Sequence, residues 1–282
     1  MKPELIFDAK AELAEGPTWD EKTQTLYWLD ILGKRIHAGM DLVAQLDDFI
    51  GCLALRQDGN LIFGKRASLL DLNLGTSQQS VLASVSEIAT NRINDGKCDP
   101  AGRFIFGTMD IAEEAASGFV YSFDGRQITR LLEGIRISNG LTWSPDGKTF
   151  YYIDTPTREV KAFDYDLGTG QIVNQRIAIR VPDGMGWPDG MTSDMEGNLW
   201  IAMWGGAQVT RWNPHTGQLL EQIPVPALLT SSCIFGGKDR NELYITSARK
   251  ALSDVELQKY PLSGGIFKVT TKFEGMPTFR FG

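Results

Sequence analysis

Cysteine and histidine are scarce in this sequence. Its 282 residues contain three cysteines and two histidines. The cysteines, Cys52, Cys98 and Cys233, are odd in number and form no CxxC pair, so neither a disulfide framework nor a thiolate zinc site is indicated. The histidines, His37 and His215, lie in an outer strand and a turn of the pattern described below. We therefore do not expect a Ser-His-Asp or Cys-His nucleophile.

Positive charge and long apolar runs are also lacking. The formal net charge is -7, so nucleic acid and anionic membranes are not expected as partners. Residues 1–4 lead into only a short apolar run, and no later stretch is long enough to span a bilayer. No GxGxxG or Walker loop follows a strand, so no nucleotide cofactor is expected. We expect a soluble, cytoplasmic monomer.

The main feature present is a repeat, and residues 137–166 are its clearest copy, ISNGLTWSPDGKTFYYIDTPTREVKAFDYD. This copy opens with Asn139 and Gly140, continues through a short apolar segment and turns at residues 144–147. An aromatic, β-branched run and then an alternating run follow. The pattern predicts three or four short antiparallel strands in about thirty residues.

Similar openings recur six times at a spacing of roughly forty residues, which is the size of one four-stranded propeller blade. We therefore predict an all-β, six-bladed β-propeller formed by residues 1–282 as a single domain. A strand near residues 5–9 is expected to complete the sheet that contains residues 265–269, because closing the ring removes its edges. One short helical turn is predicted at Asp254–Lys259. The openings begin at Glu15, Gly51, Asn94, Asn139, Asp189 and Ser231.

The first strand of a propeller blade is the innermost, so the residues that open the six units should converge on the axis. Three of them, Glu15, Asn139 and Asp189, directly precede a glycine. Two carboxylates and an amide oxygen in one place suit a hard or borderline divalent cation. Alternatively, each Asx-Gly pair only forms the turn that enters its strand. Three such residues in register around a ring favour the metal site. The equivalent positions are Glu15, Ile50, Asn94 or Asp95, Asn139, Asp189 and Ser232.

Residues 91–109, NRINDGKCDPAGRFIFGTM, closely resemble the signature of the SMP-30/gluconolactonase family, also called the regucalcin family. The resemblance continues through EGPTWD, SNGLTWSPDGKTFYYIDT, FDYD, PDGMTSDMEGNLWIA, CIFGG and GGIFKV, and it covers essentially the whole chain. It implies a six-bladed propeller with one catalytic divalent metal near the axis, hydrolysing the ester of sugar lactones.

The resemblance also implies roles for particular residues. The family's metal ligands, in EGP, SNGL and PDGM, correspond to Glu15, Asn139 and Asp189. Its substrate-binding arginine and asparagine, in NRxNDGK, correspond to Arg92 and Asn94. The metal is expected to be Ca²⁺, Zn²⁺, Mn²⁺, Mg²⁺ or Fe²⁺, because carboxylate and amide oxygens accept each of them.

Arg92 and the third-unit loop leave alternatives open. Arg92 either binds substrate or pairs with Asp95 or Asp99 to hold a loop, and its place before an axial strand favours binding. Some family members have a sugar-binding carboxylate in the loop of the third unit. Here that loop carries Glu113 and Glu114, and the sequence assigns this role to neither.

For the reaction, we expect the metal to polarise the carbonyl of a gluconolactone- or xylonolactone-type substrate. Arg92 and Asn94 would orient it, and Asp189 would act as general base towards the attacking water. Trp187, in the loop before Asp189, either lines a pocket or plugs the channel. The competing functions are a non-enzymatic calcium-binding propeller and a metal-dependent hydrolase of organophosphates or other esters.

Overall fold

The computed structural model describes residues 1–85 and 89–282, and within them 24 strands form six four-stranded antiparallel sheets. We call these sheets blades 1 to 6. Blade 1 comprises β2 (Ala14–Asp20), β3 (Thr25–Asp30), β4 (Arg35–Ala38) and β5 (Asp41–Gln45). Blade 2 comprises β6 (Ile50–Leu55), β7 (Leu61–Lys65), β8 (Ser68–Leu72) and β9 (Gln79–Ser84). Blade 3 comprises β10 (Asn91–Cys98), β11 (Phe104–Asp110), β12 (Gly118–Phe123) and β13 (Ile128–Ile135).

The second half of the ring repeats this order. Blade 4 comprises β14 (Ser138–Trp143), β15 (Thr149–Asp154), β16 (Glu159–Tyr165) and β17 (Ile172–Arg180), with a 3₁₀ turn at Thr155–Thr157. Blade 5 comprises β18 (Trp187–Ser193), β19 (Leu199–Trp204), β20 (Gln208–Asn213) and β21 (Gln218–Pro224). Blade 6 comprises β22 (Leu229–Gly236), β23 (Glu242–Ala248), β24 (Ile266–Thr270) and β1 (Glu4–Phe7).

The ring is closed by its first strand. β1 pairs antiparallel with β24, with Leu5 opposite Phe267, which confirms the predicted completion of the last sheet. The innermost strands β2, β6, β10, β14, β18 and β22 each contact the next, and β22 contacts β2. The fold is therefore the six-bladed β-propeller that the repeat predicted. Closure leaves each inner strand with a neighbour on both sides.

Every innermost strand carries a β-bulge near the residue that opens its unit. In blade 4, for example, the pairing of β14 with β15 shifts register between Asn139 and Leu141. A bulge bends the strand locally and re-aims a side chain. The six shifts lie at Glu15/Thr18, Ile50/Leu53, Ile93/Gly96, Asn139/Leu141, Pro188/Met191 and Thr230/Ser232.

The glycines that follow these axial residues allow the inner strands to approach closely. Gly140 has a φ of +23°, and a Cβ there would lie 2.6 Å from the Asp189 carbonyl oxygen. A Cβ on Gly190 would lie 2.1 Å from the Ser232 hydroxyl oxygen. Both distances are shorter than any tolerable contact, so a side chain at either position would force neighbouring blades apart.

Aromatic side chains fill the space between adjacent blades. Trp28, Trp143 and Trp200 are buried. Trp200 of blade 5 packs edge-on against Phe235 of blade 6, with ring centroids 5.4 Å apart. Second strands such as β15 are covered on both faces, so they read as nearly continuous apolar runs rather than alternating ones.

The predicted helical turn is confirmed as α1 (Asp254–Lys259) in the connection between β23 and β24. Ser253 caps it, and the Glu256 carboxylate accepts a hydrogen bond from the Ser253 backbone amide, which forms a capping box. Across the described ranges, no helix is both long and apolar enough to cross a membrane.

The last residues of the chain, 271–282, cross the end of the ring where the inner strands finish. The Met276 amide donates to the Ser193 carbonyl at the end of β18, over 3.1 Å. The Phe281 amide donates to the Leu55 carbonyl at the end of β6, over 2.8 Å. The segment therefore covers one mouth of the channel, and the mouth where the inner strands begin is the other.

Side chains of this segment also anchor it. The Arg280 guanidinium forms a buried ion pair with Asp20 in blade 1. The Phe281 ring stacks on Phe123 of blade 3, with centroids 5.4 Å apart, and lies beneath the Arg56 guanidinium of blade 2. Three blades are thus tied together by two adjacent residues.

We expect Phe281→Ala to lower the free energy of unfolding by about 3 kcal/mol, because it removes a buried ring that joins blades 2 and 3. The measurement is denaturant unfolding followed by tryptophan fluorescence. Val173→Ala, at a side chain that is 56% exposed, is the control and should change the free energy by less than about 0.5 kcal/mol. Equal effects for the two variants would mean that the segment does not bind the blades together.

Candidate active site

A cavity of about 710 Å³ opens at the end of the ring where the inner strands begin. The residues predicted for the site are brought together in its wall, and these are Glu15, Arg92, Asn94, Asn139 and Asp189. Both histidines lie outside it, since His37 stacks on Trp28 with centroids 4.1 Å apart and His215 occupies an exposed turn.

The structure distinguishes the two candidates for the third axial position. Asn94 lines the large cavity, whereas Asp95 lines a second cavity of about 40 Å³ further along the axis. Ser232, the sixth axial residue, also lines the smaller cavity. In that space the partly buried Lys97 ammonium donates to the Met191 carbonyl over 2.7 Å. The large cavity is therefore served by Asn94 rather than Asp95.

Two carboxylates are buried in the floor of the cavity. Glu15 is 7% exposed and Asp189 is 6% exposed. In the described part of the chain neither carboxylate has a Lys, Arg or His nitrogen within 4.0 Å. Burial, and then the negative charge of Asp95, raise the pKa of Glu15 to about 8. Burial and the charge of Glu15 raise the pKa of Asp189 well above its ordinary value. The Asp95 charge therefore disfavours ionisation of Glu15, and the Glu15 charge disfavours ionisation of Asp189.

A chain of hydrogen bonds orients the amides beside these carboxylates. The Arg92 Nη1 donates to Asn94 Oδ1 over 2.6 Å, and Asn94 Nδ2 donates to Asn139 Oδ1 over 2.9 Å. Asn139 Nδ2 then donates to Thr155 Oγ1 over 2.8 Å, and that hydroxyl donates to the Pro188 carbonyl over 2.9 Å. One lone pair of Asn139 Oδ1 is left for a further partner.

Arg92 does not hold the loop that the alternative interpretation suggested. Asp99 pairs instead with Arg103 at 2.8 Å, and Arg92 bonds to Asn94 and to the Ile93 carbonyl. Burial lowers the pKa of Arg92 to about 10, while the charges of Glu113 and Glu15 oppose that change. The guanidinium is still a cation at neutral pH, and it lies in the cavity wall beside Asn94.

The third-blade loop contributes Glu113, which lines the cavity, whereas Glu114 is exposed and lies outside its wall. The Glu113 carboxylate pairs with the Lys250 ammonium of blade 6, and the Glu113 carbonyl accepts from Arg136 Nε over 3.1 Å. Blades 3 and 6 lie opposite each other in the ring of six blades, so this ion pair spans the mouth of the cavity. Sequence reasoning missed Lys250 and Arg136, since neither lies in a repeated position.

Trp187 belongs to the cavity wall and does not plug the channel. Its side chain is 43% exposed, and the Arg158 guanidinium lies 4.3 Å from its ring centroid. Arg158 also pairs with Asp183 at 3.3 Å. A partly open indole held by a cation can contact a bound ring without blocking entry.

The chemistry of the donor set fits a divalent cation. Buried carboxylates with no ion-pair partner within 4.0 Å are costly unless they are protonated or bind a metal, and Glu15 and Asp189 are of this kind. Within residues 1–85 and 89–282, no group of three or more His, Cys, Asp or Glu side chains is placed to hold a metal. The candidate set is instead two carboxylates and the Asn139 amide, which leaves part of a coordination shell for water or substrate.

These features define a class, namely six-bladed propellers with an acidic, amide-bearing cavity at one end of the axis. The family model for the SMP-30/Gluconolactonase/LRE-like region matches residues 13–249. Regucalcin of Bos taurus is 39% identical over 296 residues, which cover 100% of this chain and 98% of the relative. The chain therefore belongs to the SMP-30/gluconolactonase family.

Solved structures agree with this membership. The calcium-binding protein regucalcin from Agrobacterium tumefaciens superposes with a TM-score of 0.93 at 28% identity, covering 98% of this chain and 97% of that one. A gluconolactonase from Xanthomonas campestris superposes with a TM-score of 0.76 at 25% identity, covering 95% of this chain and 89% of that one. Both likenesses extend over nearly the full ring.

We expect the chelated protein to lose stability as the pH rises from about 4.5 to about 8. The pKa of Glu15 rises from 4.5 to about 8 on folding, so in this window the folded state binds more protons than the unfolded state and the slope is negative. Each extra proton that the folded state binds lowers the free energy of unfolding by about 1.4 kcal/mol per pH unit. The measurement is the midpoint of thermal unfolding in chelator across this pH range.

Glu15→Gln should flatten that slope, because glutamine resembles the protonated acid and also removes one charge that acts on Asp189. Glu114→Gln, in an exposed loop, is the matched control and should keep the slope of the unaltered chain. A slope that is equally steep in all three proteins would show that burial of Glu15 is not its source.

Proposed function

We propose that this chain is a metal-dependent sugar lactonase, which hydrolyses aldonolactones of the gluconolactone or xylonolactone type to aldonic acids. The observation that carries the proposal is the pair of buried carboxylates, Glu15 and Asp189, beside a guanidinium and two amides in one open cavity. Support also comes from the relatives, which include a gluconolactonase and a regucalcin described as calcium-binding.

The residues that would hold the cation are Glu15, Asn139 and Asp189. Each opens an inner strand at a bulge, and that strand is paired with the second strand of its blade and packed against the inner strands of the neighbouring blades. When bound, a divalent cation polarises a carbonyl oxygen and makes a neighbouring water more acidic. Ca²⁺, Mg²⁺, Mn²⁺, Fe²⁺ and Zn²⁺ all accept such oxygen ligands.

Arg92 and Asn94 divide the task of positioning the substrate. Both hydrogen bonds of Arg92 found in the described ranges use Nη1, and we propose that Nε and Nη2 donate to the ring hydroxyls of the lactone. Asn94 links Arg92 to Asn139, and it therefore fixes the guanidinium relative to the proposed cation ligands. Orientation of this kind lowers the entropic part of the barrier.

Asp189 is the proposed general base. The oxygen of the attacking water forms a bond to the lactone carbonyl carbon while its proton passes to the Asp189 carboxylate. The ring C–O bond then breaks, and the proton moves to the ring oxygen that leaves as a hydroxyl. In the metal-free chain burial and the neighbouring Glu15 charge raise the pKa of Asp189. A bound cation would lower that pKa and keep the carboxylate ionised, which a general base requires.

A chelator should abolish hydrolysis of aldonolactones, and a divalent cation should restore it. The assay follows proton release from a panel of aldonolactones, phosphotriesters and aryl esters, with each metal added back in turn. Lactone hydrolysis that is absent, or that continues in chelator, would reject the proposal. Metal binding without turnover would favour a calcium-binding propeller, and turnover of phosphotriesters alone would favour the organophosphate hydrolase.

Asp189→Asn should lower kcat by at least about a hundredfold, because the amide cannot accept the proton of the attacking water. Metal affinity is measured separately by calorimetry, so that loss of the cation is distinguished from loss of the base. Asp239→Asn makes the same change in an exposed turn and should leave kcat unaltered. If Asp189→Asn keeps both the metal and full turnover, Asp189 is not the base.

A further inference from the structure

The wall of the large cavity is divided into two unlike halves. The floor carries Glu15 and Asp189 from blades 1 and 5, and the wall on the side of blades 3 and 4 carries Arg92, Asn94, Glu113 and Asn139. Blades 5, 6 and 1, which are consecutive around the ring, supply a continuous set of apolar side chains. We call this set the apolar arc, and it consists of Leu13, Ile31, Trp204, Leu228, Leu229 and Leu252.

The apolar arc is backed by the hydrophobic core. Leu13, Ile31 and Leu229 are buried members of a core cluster that joins blades 1, 2 and 6. Trp204, Leu228 and Leu252 are only partly buried and pack against that cluster. Their free faces therefore lie in the cavity, on a surface whose rigid support keeps it from collapsing when the cavity is empty.

The size of the cavity exceeds the needs of one sugar ring. A volume of about 710 Å³ lies in the range that accommodates drug-sized ligands, and a single lactone ring is much smaller. A ring held near Glu15 and Asp189 leaves the space beside Leu228 and Leu252 for a substituent. Hydroxyl groups placed against leucine side chains would lose hydrogen bonds to water, whereas methylene groups would gain by leaving it.

Lys250 and Glu256 also line the cavity beside the arc, and neither favours an anionic substituent. The Glu256 carboxylate accepts hydrogen bonds from the Ser253 amide and hydroxyl. Lys250, which follows β23 and lies beside Leu252, is paired with Glu113. Its ammonium is therefore already neutralised, and an anionic substituent would have to displace a carboxylate. The geometry favours a neutral, aliphatic group.

We propose that the apolar arc is a subsite for an alkyl chain, so that this protein also hydrolyses lactones whose ring carries an aliphatic substituent. The inference rests on the proposed lactonase function and extends its substrate class. The bonding changes are those of any lactone hydrolysis: water oxygen bonds to the carbonyl carbon, the ring C–O bond breaks, and the ring oxygen takes a proton to give a hydroxy acid.

The first experiment measures kcat/KM for δ-lactones that carry a methyl, propyl or pentyl group on the carbon bonded to the ring oxygen. Transfer of one methylene group from water is equivalent to about a fourfold gain in binding, so kcat/KM should rise by about two- to fourfold per methylene. Glucono-1,5-lactone is assayed in parallel with the same metal-loaded protein.

Leu252→Gln should lower the ratio of kcat/KM for pentyl over methyl lactone by about tenfold, since it places an amide in the subsite. Leu220→Gln is the matched control, because Leu220 is 38% exposed on β21 and lies outside the cavity wall. Leu228→Trp gives a second test that fills the subsite without adding polarity, and it should reverse the preference for the longer chain.

Binding to chelated protein gives a readout that does not require catalysis. The probes are the lactams 6-methyl- and 6-pentylpiperidin-2-one, measured by calorimetry, and the pentyl lactam should bind at least about tenfold more tightly. Tighter pentyl binding that Leu252→Gln removes supports the subsite even if no lactone is hydrolysed, in which case only the lactonase function fails. Hydrolysis of glucono-1,5-lactone with no effect of chain length on rate or binding overturns the subsite and leaves the lactonase function in place.

Discussion

The carboxylates of Glu15 and Asp189 are buried on the axis of a closed ring, within electrostatic reach of each other, and the ring prevents them from separating. Each opens an inner strand, and each such strand is paired or packed on both sides. The repulsion can therefore be relieved only by a proton or by a cation. Burial, and then the charges of Asp95 on Glu15 and of Glu15 on Asp189, raise the pKa values of both groups. This constraint underlies the chemistry proposed for the cavity.

Three structural features maintain the constraint. The first strand completes the last blade, so the ring has no open seam. The C-terminal segment joins the far ends of the inner strands through Arg280 and Phe281. Close approach at Gly140 and Gly190 keeps neighbouring inner strands together near the axis. The unfavourable burial of these two carboxylates is thus offset by strand pairing and packing over the whole molecule rather than by contacts within the site.

The same ring gives the cavity its two-sided character. Most of the polar residues that open the repeated units line the cavity near the axis. The loops at the same end of the ring form the rest of the cavity wall. The Glu113 and Lys250 ion pair crosses the mouth between opposite blades, while Trp204 and Leu252 extend the core into the cavity. The proposed site for a polar ring beside a surface for an apolar group is consistent with this arrangement.

Much of this architecture could be predicted from the sequence, because a repeat makes equivalent positions comparable. The period of roughly forty residues predicted six blades, and the polar residues at one repeated position identified Glu15, Asn139 and Asp189. The strand that closes the ring and the helix at Asp254–Lys259 were also predicted correctly. These features depend on local pattern and on ring symmetry.

Only the tertiary structure decided which of Asn94 and Asp95 faces the large cavity, because a bulge between Ile93 and Gly96 breaks the alternation that would otherwise assign them. It also decided that Lys250 meets Glu113, residues from opposite blades that share no repeated position. Positions that are set by backbone pairing can be recognised in the sequence, because similar residue types recur there at the spacing of the repeat. Contacts between loops across the ring produce no such periodic pattern, since they depend on the path of each loop through space.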